Sequence, residues 1–368
     1  MKNKYHICFV SPRAYPVLSK RNFKSCGGAE IQQVLISKAL CDLGHKCTFV
    51  VQDYGQGKCE THDGIEVIRG SFRRPSPRKN WKLPLEIVRL IWLLMRVNAD
   101  IYLLKDPTYL LFPMGLYRRL FGKKLIKLIA SNWDCQKQLR GVSRTLYLLG
   151  TKFVDLTIFQ TKHQKQVGTE TLGLSGRVIN NICHYDMPAP VNAERDIDVL
   201  WVGTATQNKQ PDVFLNIAEN MPNSSFTMII APGPGVAFNN RVAERAKSIG
   251  NLYYLGFVEY SQISSYYSRA KLVVITSESE GFPNVFLQAW QAGTPVVSLG
   301  IDPDAVIVHN EVGYVAENAT ALKKCIRLLL DNQSLREAYG KNCRNYVLRE
   351  HGKEKIIQQY LEVFKMLL

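Results

Sequence analysis

The feature that most constrains the fold of this chain is an alternation of short β-branched runs with longer amphipathic helical patterns, repeated in two series. Such alternation is typical of parallel sheets built from βαβ units. The predicted strands are 5–10, 47–52, 65–69, 100–104, 125–131 and 156–160 in the first series, and 198–202, 225–231, 252–255, 272–276 and 295–298 in the second. Each half is therefore predicted to be an α/β domain with a doubly wound, Rossmann-like parallel sheet.

The domain boundaries are predicted from chain length and from one proline-containing stretch. A chain of 368 residues fits two domains of about 150 to 200 residues each. Pro188 and Pro190 lie between the two series of strands, and prolines among polar residues are typical of linkers. We predict one domain over 1–183, a linker over 184–195, a second domain over 196–350 and a final amphipathic helix within 351–368.

Cysteine use and hydropathy indicate a cytoplasmic protein. The nine cysteines are odd in number and lack metal-ligand or CxxC spacing, so we expect reduced thiols and no metal site. The apolar run at 7–10 is too short for a signal peptide and is predicted to be the first strand. The most apolar stretch, 83–95, contains Glu86 and Arg89, so no membrane-spanning helix is expected.

The formal charge of +16 is concentrated in the amino-terminal half, where basic residues alternate with aromatic ones. This group comprises Arg73, Arg74, Arg78, Lys79, Lys82, Arg118, Arg119, Lys123, Lys124, Lys127, Lys137, Arg140 and Arg144, with Trp81, Trp92, Tyr109, Phe112, Tyr117, Phe121 and Tyr147. The mixture suits an anionic lipid surface or a lipid-diphosphate acceptor. The alternative is a solvated basic face over core aromatics. A nucleic-acid partner is not expected, because no nucleic-acid recognition motif is present.

The segment from Ser277 to Ser298 reads as a strand end, a Gly/Pro turn and the start of a helix. Gly281 and Pro283 allow a tight turn, so that the N–H groups over 281–285 can face a diphosphate. Glu280 precedes them and is placed to accept hydrogen bonds from sugar hydroxyls. The alternative is that Glu280 is an ordinary helix-start carboxylate stabilised by the helix dipole.

This segment closely resembles the donor-binding signature of the retaining glycosyltransferases of family four, and the resemblance covers most of the chain. That family has the GT-B fold, in which two Rossmann-like domains face each other across a cleft. Its signature is a Glu, seven residues and a second Glu, with Gly-Phe-Pro after the first and Ala-Gly-x-Pro-Val-Val at the end. The matching positions are Glu280, Gly281-Phe282-Pro283 and Ala292-Gly293-Thr294-Pro295-Val296-Val297.

The resemblance implies a role for each residue of the segment. Glu280 is expected to contact the donor sugar, and the backbone of Gly281, Phe282, Pro283, Asn284 and Val285 is expected to form the diphosphate site, in which Pro283 has no N–H to donate. The second acid of the signature is Gln288 in this chain. Gln288 lies on a helix face that can reach a ribose hydroxyl pair, but it lacks the charge that would hold the ribose more strongly.

A second match is the strand over 199–202 followed by Gly203, Thr204 and Lys209. It resembles the family's Gly-Arg and later Lys, which hold the leaving diphosphate. Lys209 fits as a point charge on phosphate, and Thr204 stands where the family has its Arg, so one cation is missing. The alternative for Lys209 is an exposed lysine at a helix start.

Two further positions concern the amino-terminal domain. Gly27 and Gly28 resemble the family's glycine turn, where backbone approaches donor diphosphate or acceptor closely; the alternative is a plain helix start. The family often has a His at a later strand end, where this chain has Asn132 and Asp134. One of these either faces the sugar or caps the following turn, and the sequence leaves both interpretations open.

The resemblance implies a retaining hexosyltransferase that uses UDP- or GDP-sugar, with Glu280, Lys209 and Asp134 as candidate catalytic residues. The final helix, 351–368, is expected to return to the first domain. No pair of acids stands at a strand end, so we expect no metal and no other cofactor.

The expected acceptor is a glycan, lipid-linked at the inner face of the cytoplasmic membrane, in surface-polysaccharide biosynthesis. The alternatives are a nucleotide-sugar epimerase of the same fold, or an inactive partner subunit that binds nucleotide-sugar.

Overall fold

The computed structural model describes residues 4–20, 27–70, 83–105, 108–135, 141–183 and 194–368. The chain divides into two compact units. The amino-terminal unit comprises Met1–Ile182 and Lys353–Leu368, and the carboxy-terminal unit comprises Cys183–Gly352.

The amino-terminal unit contains an eight-stranded sheet in the order β3-β4-β2-β1-β5-β6-β7-β8. Its strands are β1 (His6–Val10), β2 (Lys46–Val51), β3 (Cys59–His62), β4 (Ile65–Arg69), β5 (Ile101–Leu104), β6 (Lys124–Leu128), β7 (Leu156–Phe159) and β8 (Gly176–Val178). Every pairing is parallel except that of β3 with β4, which is antiparallel. The central strands are buried because helices cover both faces of the sheet.

The helices of this unit alternate with its strands. They are α1 (Tyr15–Ser19), α2 (Gly28–Asp42), α3 (Leu83–Val97), α4 (Leu111–Phe121), α5 (Gly141–Thr151) and α6 (Lys162–Leu172). Helix α3 shows how they pack: Leu90 and Leu94 enter a core cluster with Tyr102 and Tyr117. The Tyr117 hydroxyl also donates to the Leu94 carbonyl oxygen at 3.1 Å. Apolar residues at helical spacing thus place one face of α3 on the sheet.

The carboxy-terminal unit contains a six-stranded sheet in the order β11-β10-β9-β12-β13-β14, with all pairings parallel. Its strands are β9 (Ile197–Thr204), β10 (Phe226–Ala231), β11 (Leu252–Gly256), β12 (Ala270–Ile275), β13 (Val296–Leu299) and β14 (Gly313–Ala316). Numbered within the unit, this is the 3-2-1-4-5-6 order of a doubly wound sheet. The strand order reverses between β9 and β12.

Helices cover both faces of this second sheet. They are α7 (Pro211–Glu219), α8 (Val236–Ser248), α9 (Tyr260–Arg269), α10 (Asn284–Gln291), α11 (Val306–His309), α12 (Ala319–Asp331) and α13 (Gln333–His351). One core cluster includes Trp201, Phe214 and Phe226, and another includes Phe286 and Trp290. Two cores on one sheet are what a doubly wound fold requires.

The last helix, α14 (Lys353–Leu367), is part of the amino-terminal unit. Lys353 Nζ contacts Asp42 Oδ2 of α2 at 2.6 Å. The Phe364 ring packs edge-on to Tyr5, with ring centroids 6.2 Å apart. Polar and aromatic contacts together fix this helix beside α2.

The structure confirms the predicted α/β class with two parallel sheets, and it adds three short strands. These are β3, β8 and β14, of which β3 and β8 are mostly polar or half-exposed. The predicted linker 184–195 lies almost wholly outside the described residues. So do Arg73, Arg74, Arg78, Lys79, Trp81, Lys82, Lys137 and Arg140 of the basic and aromatic group.

The prediction of a basic and aromatic surface is wrong for four of its residues, because they lie in the core. Lys127 is fully buried within β6, and Tyr109, Tyr117 and Tyr147 are buried. The Lys127 ammonium lies 5.8 Å from the centre of the Tyr147 ring. Buried side chains such as these cannot reach a membrane, so any such surface must be formed by other side chains.

Candidate active site

Two loops meet where the strand order reverses in the second sheet. Strands β9 and β12 are adjacent and parallel, with Leu200 opposite Val273. Their carboxyl ends lead into the loops 205–210 and 276–283. Ligands of open α/β sheets bind outside the carboxyl ends of strands at such a point. The predicted residues Lys209 and Glu280 lie one in each loop.

The structure brings Lys209 and Glu280 into direct contact. Lys209 Nζ donates to Glu280 Oε1 and forms an ion pair with it. The two side chains are 26% and 17% exposed, so the pair is partly shielded but open to solvent. The ammonium of Lys209 and the carboxylate of Glu280 are therefore in contact at the carboxyl ends of β9 and β12.

Asn208 joins the two loops, and sequence reasoning missed it. Its Nδ2 donates to the Ser279 carbonyl oxygen at 2.9 Å, and its Oδ1 accepts from the Ser279 N–H at 3.2 Å. The Asn208 carbonyl oxygen also accepts from the Glu278 N–H at 2.8 Å. These three hydrogen bonds set the spacing of Lys209 and Glu280. The available signal was an amide side chain directly before the predicted lysine.

The backbone of Lys209 is anchored by buried groups below it. Thr276 Oγ1 donates to the Lys209 carbonyl oxygen at 2.7 Å, and Trp201 Nε1 donates to Thr276 Oγ1 at 3.0 Å. Trp201 and Thr276 are buried. A Cβ atom at Gly203 would lie 2.7 Å from Trp201 Cη2, so the glycine makes room for the indole. Thr204, which ends β9, pairs with Ala231 of β10.

Helix α10 begins directly after this site without a side-chain cap. Pro283 occupies its N-cap position, and Gly281 and Pro283 are buried in the preceding turn. The first N–H groups of an α-helix have no partner within the helix, and the dipole adds partial positive charge there. The predicted diphosphate segment, 281–285, thus spans the positive end of α10.

An aromatic cluster holds the turn before α10 in place. The Phe282 ring packs against Phe286, Trp290 and His351, with centroid separations of 6.3, 6.3 and 4.9 Å. Trp290 Nε1 donates to the Val312 carbonyl oxygen at 3.1 Å. The turn therefore rests on a packed core, which makes the start of the helix a rigid feature.

Gln288 is held by a buried tyrosine. The Tyr267 hydroxyl donates to Gln288 Oε1 at 3.0 Å. Burial raises the pKa of the Tyr267 hydroxyl well above its ordinary value, so the hydroxyl remains a proton donor at neutral pH. Gln288 itself is half-buried and lies about one turn into α10, which begins at Asn284.

The predicted glycine turn in the amino-terminal unit is already occupied by a carboxylate. Gly27 is the N-cap residue of α2, and Gly28 begins the helix. A Cβ atom at Gly27 would lie 2.1 Å from Glu30 Oε2. Glu30 is buried, and its Oε1 lies 3.1 Å from Arg13 Nε. The glycine makes room for Glu30, and its contact with a ligand stays a prediction.

Asn132 and Asp134 follow the same strand, but their hydrogen bonds indicate different roles. Asp134 Oδ2 accepts from the Ala130 N–H at 2.6 Å and from the Ser131 N–H at 3.1 Å, and its Oδ1 accepts from Ser131 Oγ. This carboxylate caps the turn. Asn132 Oδ1 is buried and has no hydrogen-bond partner among the described residues. Asn132, more than Asp134, has an acceptor available for a ligand.

No group of three His, Cys, Asp or Glu side chains suited to a metal ion occurs in the described parts of the chain. Asp302, in the loop after β13, accepts from the backbone N–H groups of Ile307 at 2.8 Å and Val308 at 3.4 Å. Burial raises the pKa of its carboxyl, while those hydrogen bonds act in the opposite direction. Asp302 therefore caps α11.

Comparison with known families identifies the class of the second unit. Residues 186–346 match the family model Glycosyl transferases group 1. This range contains every predicted donor-site residue from Gly203 to Gln288. The carboxy-terminal unit therefore carries a glycosyltransferase group 1 domain.

Curated relatives agree with this class. A protein of Haemophilus influenzae described as an uncharacterized glycosyltransferase is 28% identical over 352 residues, which cover 92% of this chain and 96% of the relative. The GalNAc-alpha-(1->4)-GalNAc-alpha-(1->3)-diNAcBac-PP-undecaprenol alpha-1,4-N-acetyl-D-galactosaminyltransferase of Campylobacter jejuni is 24% identical over 201 residues. That alignment covers 51% of this chain and 55% of the relative.

Solved structures define the fold. Sucrose-phosphate synthase from Thermosynechococcus elongatus superimposes with a TM-score of 0.82 at 17% identity, over 99% of each chain. Anabaena HepE in complex with UDP and glucose superimposes with a TM-score of 0.76 at 15% identity, over 98% of this chain and all of the other. The chain has the GT-B fold. With the group 1 domain, the comparisons support a glycosyltransferase enzyme.

Proposed function

We propose that the carboxy-terminal unit binds a nucleotide-sugar and that the enzyme transfers its hexosyl group with retention of configuration. The observation that carries this proposal is the Lys209–Glu280 pair, held by Asn208 beside the amino end of α10. The pair offers a cation for phosphate and an acceptor for sugar hydroxyls at one position. The solved HepE complex with UDP and glucose supports a donor of this kind.

Each part of the donor has a candidate partner. The diphosphate lies against Lys209 and the N–H groups over 281–285, since both present positive charge. Glu280 accepts hydrogen bonds from the sugar hydroxyls. Gln288, oriented by Tyr267, contacts the ribose. The ion pair must open when the donor binds, because Lys209 moves its contact from Glu280 to phosphate.

The proposed reaction depends on electrostatic stabilisation of the leaving group. The bond between the anomeric carbon and the phosphate oxygen breaks, and the acceptor oxygen bonds to the same face of that carbon. The acceptor proton passes to the departing phosphate. Negative charge that develops on the diphosphate is stabilised by Lys209 and the start of α10, which are already in position. We propose that no metal ion is required for this step.

The proposed acceptor is a lipid-linked glycan, and the enzyme is proposed to act at an anionic membrane surface. The name of the Campylobacter relative specifies an undecaprenyl-diphosphate-linked acceptor, which supports this choice. No described helix combines the length and apolar character needed to cross a bilayer. Peripheral association would then require an exposed apolar and basic surface.

Helix α3 supplies such a surface on the side opposite its buried face. Its apolar residues there are between 47% and 62% exposed, namely Leu85, Val88, Trp92 and Met95. Arg89 and Arg96 are exposed on the same helix, and the Arg96 guanidinium lies 4.7 Å from the centre of the Trp92 ring. Exposed Trp with flanking Arg is typical of helices that lie in a membrane interface.

Donor binding and transfer test the proposed function. UDP, GDP and ADP are screened by thermal shift, since a ligand stabilises the folded state as its concentration exceeds Kd. Transfer from matching nucleotide-sugars is then followed by NMR, with and without EDTA, to read the anomeric configuration. Lys209→Ala and Glu280→Ala should abolish transfer. Glu219→Gln, which breaks the remote pair with Arg245, should not.

The outcome separates the alternatives. A changed sugar formed from donor alone would indicate an epimerase, and donor binding without turnover over many acceptors would indicate an inactive binding subunit. Full transfer by both alanine variants would contradict the assignment of the site. Inverted product or loss of activity in EDTA would contradict only retention or metal independence, respectively.

Membrane association is tested by flotation with vesicles that contain anionic lipid. The wild-type chain should float at low salt, and Trp92→Glu should reduce the bound fraction. Leu348→Glu is the matched control, because Leu348 is an exposed leucine on α13. Absence of binding by the wild type would refute the surface without affecting the donor site.

A further inference from the structure

A cavity lies in the carboxy-terminal unit, at the opposite ends of the sheet strands from the candidate active site. Its volume is about 440 Å³, within the usual range for small-molecule sites. Lys271, the second residue of β12, and Pro295, which precedes β13, both line it. The cavity is therefore at the amino ends of these strands, whereas Lys209 and Glu280 follow the carboxyl ends.

The cavity is lined by an excess of positive charge. Arg195, Arg336 and Arg344 line it with Lys271, and Glu337 is the carboxylate in the lining. Lys271 pairs with Asp198 at 2.7 Å. None of the three arginines forms an ion pair with a carboxylate within the described residues. Three guanidinium groups thus share one cavity with a single lining carboxylate, Glu337, which forms no ion pair with any of them among the described residues.

Backbone carbonyl oxygens hold these arginines in place. Arg195 Nη2 donates to the carbonyl oxygens of Ala292 at 3.1 Å and Gly293 at 3.0 Å, where α10 ends. Arg336 Nη1 donates to the carbonyl oxygens of Leu329 at 2.6 Å and Leu330 at 2.7 Å, where α12 ends. The guanidinium groups are fixed by neutral acceptors, so their positive charge remains.

Helix C-termini attract cations, and an arginine at each helix end would account for two of these residues. Such capping does not explain why three arginines lie close to one another in one cavity. Burial lowers the pKa of Arg195, and the charges of Arg344 and Arg336 lower it further. The like charges therefore repel one another, and an anion in the cavity would relieve this repulsion.

Two glycines allow Arg344 to reach the cavity. A Cβ atom at Gly293 would lie 1.8 Å from Arg344 Nη1, and one at Gly340 would lie 2.6 Å from the Gly293 carbonyl oxygen. Gly293 also has a φ of +69°. Arg344 donates through Nη1 to the Ala292 carbonyl oxygen at 3.4 Å, which leaves Nη2 and Nε for a ligand.

We propose that this cavity binds a small molecule through its phosphate group, independently of the nucleotide-sugar site. Guanidinium groups bind phosphate with two parallel hydrogen bonds, and Arg336 and Arg344 present such groups from one helix, α13. A cavity of about 440 Å³ has room for more than the phosphate itself. The ligand class is therefore an inorganic phosphate or a small phosphomonoester.

Isothermal titration calorimetry of the full chain tests this proposal, with inorganic phosphate and glycerol 3-phosphate as probes and glycerol as the neutral control. Arg344→Gln and Arg336→Gln should each weaken binding of the phosphate probes at least about tenfold, since a hydrogen bond to a charged group is lost. Lys341→Gln, an exposed lysine on the same helix, should leave binding unchanged. Lys209→Met, in the candidate active site, should retain the component of binding that Arg344→Gln removes.

Each outcome supports or overturns the site. Tighter binding of glycerol 3-phosphate identifies a phosphomonoester, and equal affinities identify the phosphate group alone; both support the cavity. Near-ultraviolet circular dichroism verifies that each variant is folded. If Arg336→Gln does not fold, Arg344→Gln still tests the proposal, because it changes an exposed side chain. No binding by the wild type at millimolar concentrations, or loss of binding only in Lys209→Met, overturns the proposal.

Discussion

Replacing Glu280 by Gln should tighten the binding of a nucleoside diphosphate while it lowers transfer. Lys209 contacts Glu280 in the structure, so a diphosphate competes with that carboxylate for the ammonium. Glu280→Gln removes the competing charge and keeps the shape of the side chain. UDP, which lacks the sugar, loses no proposed contact with Glu280. Transfer falls because the sugar loses its charged acceptor.

The magnitude follows from how exposed the pair is. Side chains that are 26% and 17% exposed are more shielded than surface pairs, which contribute about 0.2 to 1 kcal/mol. We take about 1 kcal/mol for the pair that must open, the upper end for such pairs. This converts to roughly fivefold tighter UDP binding. Lys209→Met removes a charge-assisted contact worth about 1.5 to 3 kcal/mol, which weakens UDP binding roughly 10- to 150-fold.

Calorimetric titration with UDP, or with the base that the thermal-shift screen selects, measures both effects at low salt. Glu219→Gln is the matched control, since its partner Arg245 lies on α8 and the pair is 2.8 Å long. The control should bind as the wild type does. Weaker UDP binding in Glu280→Gln, by as much as in Lys209→Met, would refute competition for Lys209.

Two further variants probe the support of the site. Asn208→Ala removes two side-chain hydrogen bonds to Ser279, each with a net contribution of about 1 kcal/mol, so kcat/KM should fall at least about tenfold. Unchanged kinetics would show that the loops need no such link. Gly203→Ala places a Cβ atom against the Trp201 ring and should cost about 1 to 3 kcal/mol of folding stability, measured by urea unfolding; wild-type stability would show that the ring can move aside.

The strands that the sequence predicts correctly are rich in β-branched apolar residues. The strand β4 has the predicted bounds, Ile65–Arg69, and β10 begins one residue later than predicted. The strand β3 was not predicted because Cys59–His62 is polar and lies at the sheet edge. Periodicity indicates burial, so an exposed edge strand gives no signal of this kind.

The candidate site was predictable in its residues but not in its contacts. Lys209 and Glu280 were each assigned from a local motif, and their pairing follows from the order of β9 and β12 in the sheet. Asn208 acts across 71 positions of the chain on a backbone group, which no local motif records. The close approach of Glu30 to the Gly27 turn was not predictable either, and the ligand contact of this turn stays a prediction.

The two departures from the resembled signature are linked through charge. Thr204 replaces a cation and Gln288 replaces an anion, so the proposed donor site loses one charge of each sign and keeps the balanced pair Lys209–Glu280. Gln288→Glu alone adds a negative charge near a diphosphate. Tyr267 can still donate to that carboxylate, because burial raises the pKa of its hydroxyl. We expect the repulsion of the diphosphate to outweigh the stronger ribose contact that a carboxylate would make, so UDP binding should weaken in this single variant.

Adding Thr204→Arg to Gln288→Glu should restore UDP binding, because the new cation offsets the new anion around one shared ligand. The coupling between the two substitutions should exceed about 0.5 kcal/mol, as is usual for residues with a common partner. Calorimetric titration of both single variants and the double variant at low and high salt measures it, and the coupling should shrink as salt screens the charges. Additive effects, unchanged by salt, would mean that the two positions do not act on the same diphosphate.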